Sequence, residues 1–156
     1  MSYKIYFRHN LEVKIKSNQR DSISFIQITN LNFLENQNII SKTVETFNSE
    51  IEWDKMWNLD DANVRLNSGE VLYILLDGKT PIGHVWYDLY YLYNAFVSEK
   101  REDGDSVWFI QETMWDMKKK YDLTYIKLYV DDWNKRAIQF WKKLNFIKGN
   151  NGNREY

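Results

Sequence analysis

The chain has no cysteine among its 156 residues, which excludes disulfides, thiolate metal sites and a cysteine nucleophile together. A reducing compartment fits that composition. Histidine is nearly as scarce, with two in the chain; without an HExxH pair no metal is expected, and without a nucleophile elbow no Ser-His hydrolase. An excess of positive charge is also missing. The net charge of −1 offers no general basic surface for nucleic acid. Long apolar runs are absent too: the longest, VLYILL at 71–76, is far too short for a bilayer, and the start MSYKIYFRHN has no signal-peptide core. The expectation is a soluble, cytoplasmic protein that engages neither nucleic acid nor membrane. Without internal repeats, low-complexity blocks or a linker, residues 1–156 read as one domain.

What is present is globular: 44% of residues are hydrophobic and 28% charged. Seven Trp, eleven Tyr and eight Phe can fill a core or line a cleft. Residues 3–17 carry two alternating stretches, IYF and LEVKI, and predict a strand pair or one strand with a lead-in. Between Asp21 and Asn36 the pattern is mixed, and β-branched Ile23, Ile26, Ile28 and Thr29 weigh against a helix. Val44, Phe47, Ile51, Trp53 and Trp57 recur at near-helical spacing and predict a helix over 42–67, stopped by Ser68-Gly69. The Asp77-Gly78 turn makes 71–88 a hairpin, and LYYLYNAFVS at 89–98 is a third extended run. Val107, Ile110, Met114, Met117 and Tyr121 predict a helix over 104–121, TYIKLYV a strand at 124–130, and Asn134 caps a last helix to about Leu144. The succession argues for an α/β layer with helices covering a sheet.

One stretch poses a question of its own. KREDGDSVWF at 100–109 leaves an extended segment, turns on Gly104 and enters a helix, the kind of place where free N–H groups hold phosphates. Glu102, Asp103 and Asp105 crowd that glycine with negative charge. Asp103 and Asp105 read equally as helix caps, stabilising by about 0.3 to 1 kcal/mol each whether or not an anion binds.

These residues, in this order, resemble the GNAT (Gcn5-related) N-acetyltransferase superfamily. The strand AFVS is followed by R-E-D-G-D-S, where Arg101 and Gly104 match the family's Arg/Gln-x-x-Gly-x-Gly/Ala loop and Ser106 takes the last small position. About thirty residues on, LYVDDWN matches Leu-x-Val-x-x-x-Asn through Leu128, Val130 and Asn134, with Ala137 and Phe146 following. Two positions depart: Trp141 occupies the tyrosine slot, and Asn145 stands where the family has glycine. The resemblance covers residues 70–147. It implies an α/β (α+β) fold with a mixed, mostly antiparallel central sheet, flanking helices and splayed central strands. It also implies an acetyl-CoA site in which the loop 101–106 holds pyrophosphate, pantetheine pairs with backbone at Phe96, Val97 and Ser98, and Asn134 and the Trp141 position face the coenzyme.

Transfer of an acetyl group to a primary amine needs a base, since an amine of pKa about 10.4 is neutral only about once in a few thousand at pH 7. The candidates are Glu99, which reads equally as a solvated charge, and His84, which reads also as a hydrogen-bonded structural histidine sharing a strand face with Ile82 and Trp86. Trp141 cannot protonate a departing sulfur, because indole N–H has no useful acidity; it also fits the apolar face of its helix with Ala137 and Leu144. Tyr87, Tyr90, Tyr91 and Tyr93 are candidates for an acceptor cleft, and strand alternation lets at most half serve. The acceptor would be a small-molecule or peptide amine. The alternative is a catalytically impaired binding module of the same fold, for a peptide or protein. The tail after Phe146 leaves little room for the strand pair that ends the family's sheet, so an abbreviated acceptor side and completion by a second subunit, as in a homodimer, both stay open.

Overall fold

The computed structural model describes residues 3–51 and 57–149. Trp53, on the predicted helical stripe, and residues 150–156 of the tail lie outside them. The elements are β1 (Lys4–His9), β2 (Ile23–Ile28), α1 (Gln37–Glu50), α2 (Leu59–Asn67), β3 (Val71–Asp77), β4 (Thr80–Asp88), β5 (Tyr91–Val97), α3 (Asp105–Tyr121), β6 (Ile126–Asp131), α4 (Lys135–Lys143) and β7 (Ile147–Lys148). No helix among the described residues is long and apolar enough to cross a membrane.

The strands form one sheet in the order β2-β3-β4-β5-β6-β1-β7. Every neighbouring pair is antiparallel except β5 and β6. This is the mixed, mostly antiparallel sheet that the resemblance implies. β3 is apolar on both faces: Val71, Tyr73 and Leu75 pack in one cluster with α3, while Leu72, Ile74 and Leu76 pack in another with Ile40 and Phe47 of α1 and Leu66 of α2. A strand covered on both sides has no polar face to alternate with, hence the unbroken run VLYILL.

Two readings left open by the sequence are decided by the structure, and two expectations differ from it. Of the strand pair or single strand read at 3–17, the structure has the single strand, because the buried His9 Nδ1 accepts the Leu11 N–H at 2.9 Å and turns the chain at Leu11, φ 55°. LEVKI finds no strand partner there; the side-chain amide of Gln111 instead donates to the Ile15 carbonyl at 3.0 Å and accepts its N–H at 2.8 Å. Residues 23–28 form β2, as their β-branching favours. The helix over 42–67 is two helices; α1 ends at Glu50, and α2 starts at a capping box in which Asn58 and Asp61 exchange hydrogen bonds of 2.8 and 2.9 Å. Tyr121, placed on the buried stripe of α3, is 39% exposed.

β1 has the least local position. It lies between β6 and β7, with Tyr6 opposite Tyr129 and Arg8 opposite Ile147. The N-terminal strand of the chain therefore extends the sheet beyond β6. Its Phe7 is fully buried.

Candidate functional site

β5 and β6 register at one pair, Tyr91 with Lys127, backed by the Lys127 N–H donating to the Tyr90 carbonyl at 2.8 Å. Past it, no further residue pair of the two strands is in register among the described residues, although β5 continues to Val97 and β6 to Asp131. The central strands splay. A cleft of about 620 Å³ opens at the end of the splay. Phe96, Val97 and Glu99 line it from the end of β5, Arg101 and Ser106 from the loop and helix after it, and Asn134 and Trp141 from the start and interior of α4. Segments far apart in sequence thus meet in the order that the resemblance implies.

β5 carries an irregularity just before the cleft. The register with β4 shifts between His84 and Trp86, and Asn94 adopts a left-handed conformation, φ 52°. The Asn94 side chain contacts His84 Nε2 at 2.8 Å. His84 is fully buried among the rings of Phe47, Trp57 and Phe96, and does not line the cleft. Burial, the largest cause, lowers its pKa to about 4, against a smaller raising effect of the Asn94 contact. Ile82 does not share its face as the alternation predicts. It packs with Val85 and Tyr87 instead, because the β3–β4 register shifts between Leu75 and Leu76 and leaves Ile82 as the extra residue.

Gly104 is the N-cap of α3 with φ 91°, a conformation that glycine adopts without strain. The N–H groups of Ser106 and Val107, in the first turn, have no hydrogen-bond partner among the described residues. The acids divide. Asp103 and Glu102 are exposed, and neither caps the helix with its side chain. Asp105 is 2% exposed; its carboxylate accepts the Glu102 N–H at 3.0 Å and the Arg20 guanidinium at 2.8 and 3.3 Å. Arg101 turns its guanidinium back onto the carbonyls of Ser98, at 3.1 Å, and Val97, at 3.4 Å, and so braces the strand end. The Asn134 side chain accepts the Ala137 N–H at 3.2 Å, the predicted cap, while lining the cleft. Trp141 is 7% exposed, packed on Phe140 and Phe146, and still borders the cleft.

Ser98 is fully buried behind the cleft, its hydroxyl donating to Glu50. Sequence reasoning did not single out Glu50, Arg20 or Arg136. Glu50 and Arg136 line the cleft, and Arg20 holds Asp105. Glu50 and Arg20 lie far from the two motifs in sequence and carry no pattern; Arg136, two residues past Asn134, could have been found as a cation at the start of α4. Of the tyrosine run, Tyr87 is buried with its hydroxyl on Thr113 at 2.7 Å, and Tyr90 stacks on Tyr125. Tyr91 and Tyr93 stack on each other with centroids 5.6 Å apart, and Tyr129 of β6 meets Tyr91 at 5.6 Å. Asp131 of β6 is paired with Lys4 at 2.8 Å, and Asp60 and Asp61 lie in the first turn of α2.

No family model and no curated protein matches the sequence. Solved structures do resemble the fold. An aminoglycoside acetyltransferase from an uncultured soil metagenomic sample, solved with trehalose, superposes with a TM-score of 0.62 at 13% identity, over 80% of this chain and 88% of that one. A second soil-metagenome aminoglycoside acetyltransferase gives 0.56 at 17% identity, over 79% and 90%. A functionally unknown protein from Staphylococcus epidermidis gives 0.62 at 12% identity, over 95% of this chain and 58% of that one. At these identities the likeness is one of fold alone, an open, mostly antiparallel sheet flanked by helices that is shared with the two aminoglycoside acetyltransferases.

Proposed function

We propose that the protein is an N-acetyltransferase that moves an acetyl group from acetyl-CoA to a primary amine by direct attack. The observation that carries the reading is the separation of β5 from β6 after a single registered pair, with the first turn of α3 presenting free N–H groups at the same cleft. The residues present fit the coenzyme. Backbone at Phe96 and Val97, left without a partner strand on the β6 side, would take its amide-bearing arm; the N–H groups of Ser106 and Val107 would take its diphosphate; Asn134 and Arg136 would flank it. Bound there, the coenzyme supplies an activated acetyl thioester. Glu99, at the cleft and exposed, is the residue proposed to take the proton from the attacking amine. His84 is excluded from that task by its burial away from the cleft. Trp141 donates no proton to the leaving sulfur, and a thiol of pKa about 8.5 departs as thiolate without one. The aminoglycoside acetyltransferases of the same fold support a small-molecule amine as acceptor.

The buried Trp141 favours a second reading, a coenzyme-binding module that catalyses poorly and takes a peptide or protein partner. Calorimetric titration with acetyl-CoA tests the first step, comparing wild type with Gly104→Trp, which adds bulk without charge and strains the loop at φ 91°. Binding by wild type alone supports the cradle; a folded wild type that binds no acetyl-CoA at millimolar concentration overturns it. An acceptor screen then separates the readings by acetyl transfer.

A further inference from the structure

Resting on the coenzyme reading, we propose that Arg20 is a positioning residue for diphosphate binding: by holding the Asp105 carboxylate, it makes an acidic loop compatible with an anionic ligand. Asp105 is the first residue of α3, where its charge opposes an anion at the helix N-terminus. Its oxygens are held by a fork: Arg20 Nη2 reaches Oδ2 at 2.8 Å and Nε reaches Oδ1 at 3.3 Å, while the Glu102 N–H also donates to Oδ2 at 3.0 Å. The same guanidinium lies 3.2 Å from Glu102 and 3.4 Å from Asp77, and donates to the Ser22 hydroxyl at 2.9 Å. One cation thus touches two of the loop's three acids and ties them to the end of β3. The loop's other cations do not do this: Arg101 is engaged with the Val97 and Ser98 carbonyls, and Lys100 is exposed. Planar bidentate geometry is particular to arginine, so lysine is a poor substitute.

The test is coenzyme A titration of wild type, Arg20→Met, Arg20→Lys and the double variant Arg20→Met/Asp105→Asn, each checked for folding by urea unfolding. Arg20→Met is expected to weaken binding about tenfold, the order that one uncompensated charge near the diphosphate produces. Arg20→Lys should fall between wild type and Arg20→Met, and the double variant should return to within about twofold of wild type, because both charges have gone. A purely structural role would also be rescued by the double variant, so salt is the deciding readout. The ratio of Arg20→Met to wild-type Kd should shrink between about 0.05 M and about 0.5 M salt. A ratio that is unity at low salt, one that is insensitive to salt, or a folded double variant as weak as Arg20→Met overturns the proposal. A wild type that binds no coenzyme A overturns the reading beneath it.

Discussion

The carboxylate of Glu50 accepts the backbone N–H of Glu99 at 2.9 Å, and its second oxygen takes the hydroxyl of Ser98. The last residue of α1 thereby holds the end of β5 where it has left β6, and sets the place of Glu99 at the cleft. Glu50→Ala leaves the fully buried Ser98 hydroxyl without this acceptor and is expected to cost about 1 to 3 kcal/mol in urea unfolding. Glu50→Gln keeps one carbonyl oxygen to accept and should cost less.

Glu99→Gln keeps the side-chain volume and removes the base. With an acceptor in hand, kcat should fall about 10²- to 10⁴-fold while the Kd for acetyl-CoA stays unchanged. Steady-state kinetics beside calorimetry check this, and an unaltered kcat would mark Glu99 as a solvated charge.

His84 makes stability fall in mild acid. Its folded pKa of about 4 lies below the ordinary value of 6.5, so the unfolded chain binds its proton first on acidification. The contribution is complete above the unfolded value and is lost as pH drops through the window down to about 4, to a total of about 3 kcal/mol. His9, whose pKa burial also lowers, acts in the same direction. Urea unfolding at a series of pH values should show a shallower acid loss for His84→Gln than for wild type, and equal slopes would exclude His84 as a source.

Phe7 carries β1 into the core between β6 and β7. Phe7→Ala is expected to destabilise by about 3 to 5 kcal/mol, as for a fully buried aromatic, and thermal unfolding reads it directly. A loss below about 1 kcal/mol would mean that the N-terminal strand is not integral to the sheet.

Much of the architecture was legible because its causes are local. The Asp77-Gly78 turn closes the β3–β4 hairpin with Gly78 at φ 62°, and Gly104 opens α3. Asn134 caps α4, as its residue type predicts. The two motifs each lie on one strand and the helix after it, and residues of both line the cleft. The helix over 42–67 failed because apolar spacing continues across a break that periodicity does not register. The alternation rule failed at Ile82, because a bulge shifts the face by one residue and depends on the partner strand.

The sequence by itself determined the β3–β4 hairpin, the helices α3 and α4 and the strand β6, and where the glycine loop and Asn134 stand, because turns, caps and apolar periods act over a few residues. Only the tertiary structure decided that the N-terminal strand lies beside β6, that His84 faces the core instead of the cleft, and that Glu50 and Arg20 reach the end of β5 and the start of α3. Those placements depend on contacts between residues 27 to 85 positions apart, as His84 with Trp57, Glu50 with Ser98 and Arg20 with Asp105, or on strand pairing across nearly the whole chain. Burial and pairing across such distances follow from the packed core, and no short stretch of sequence records them.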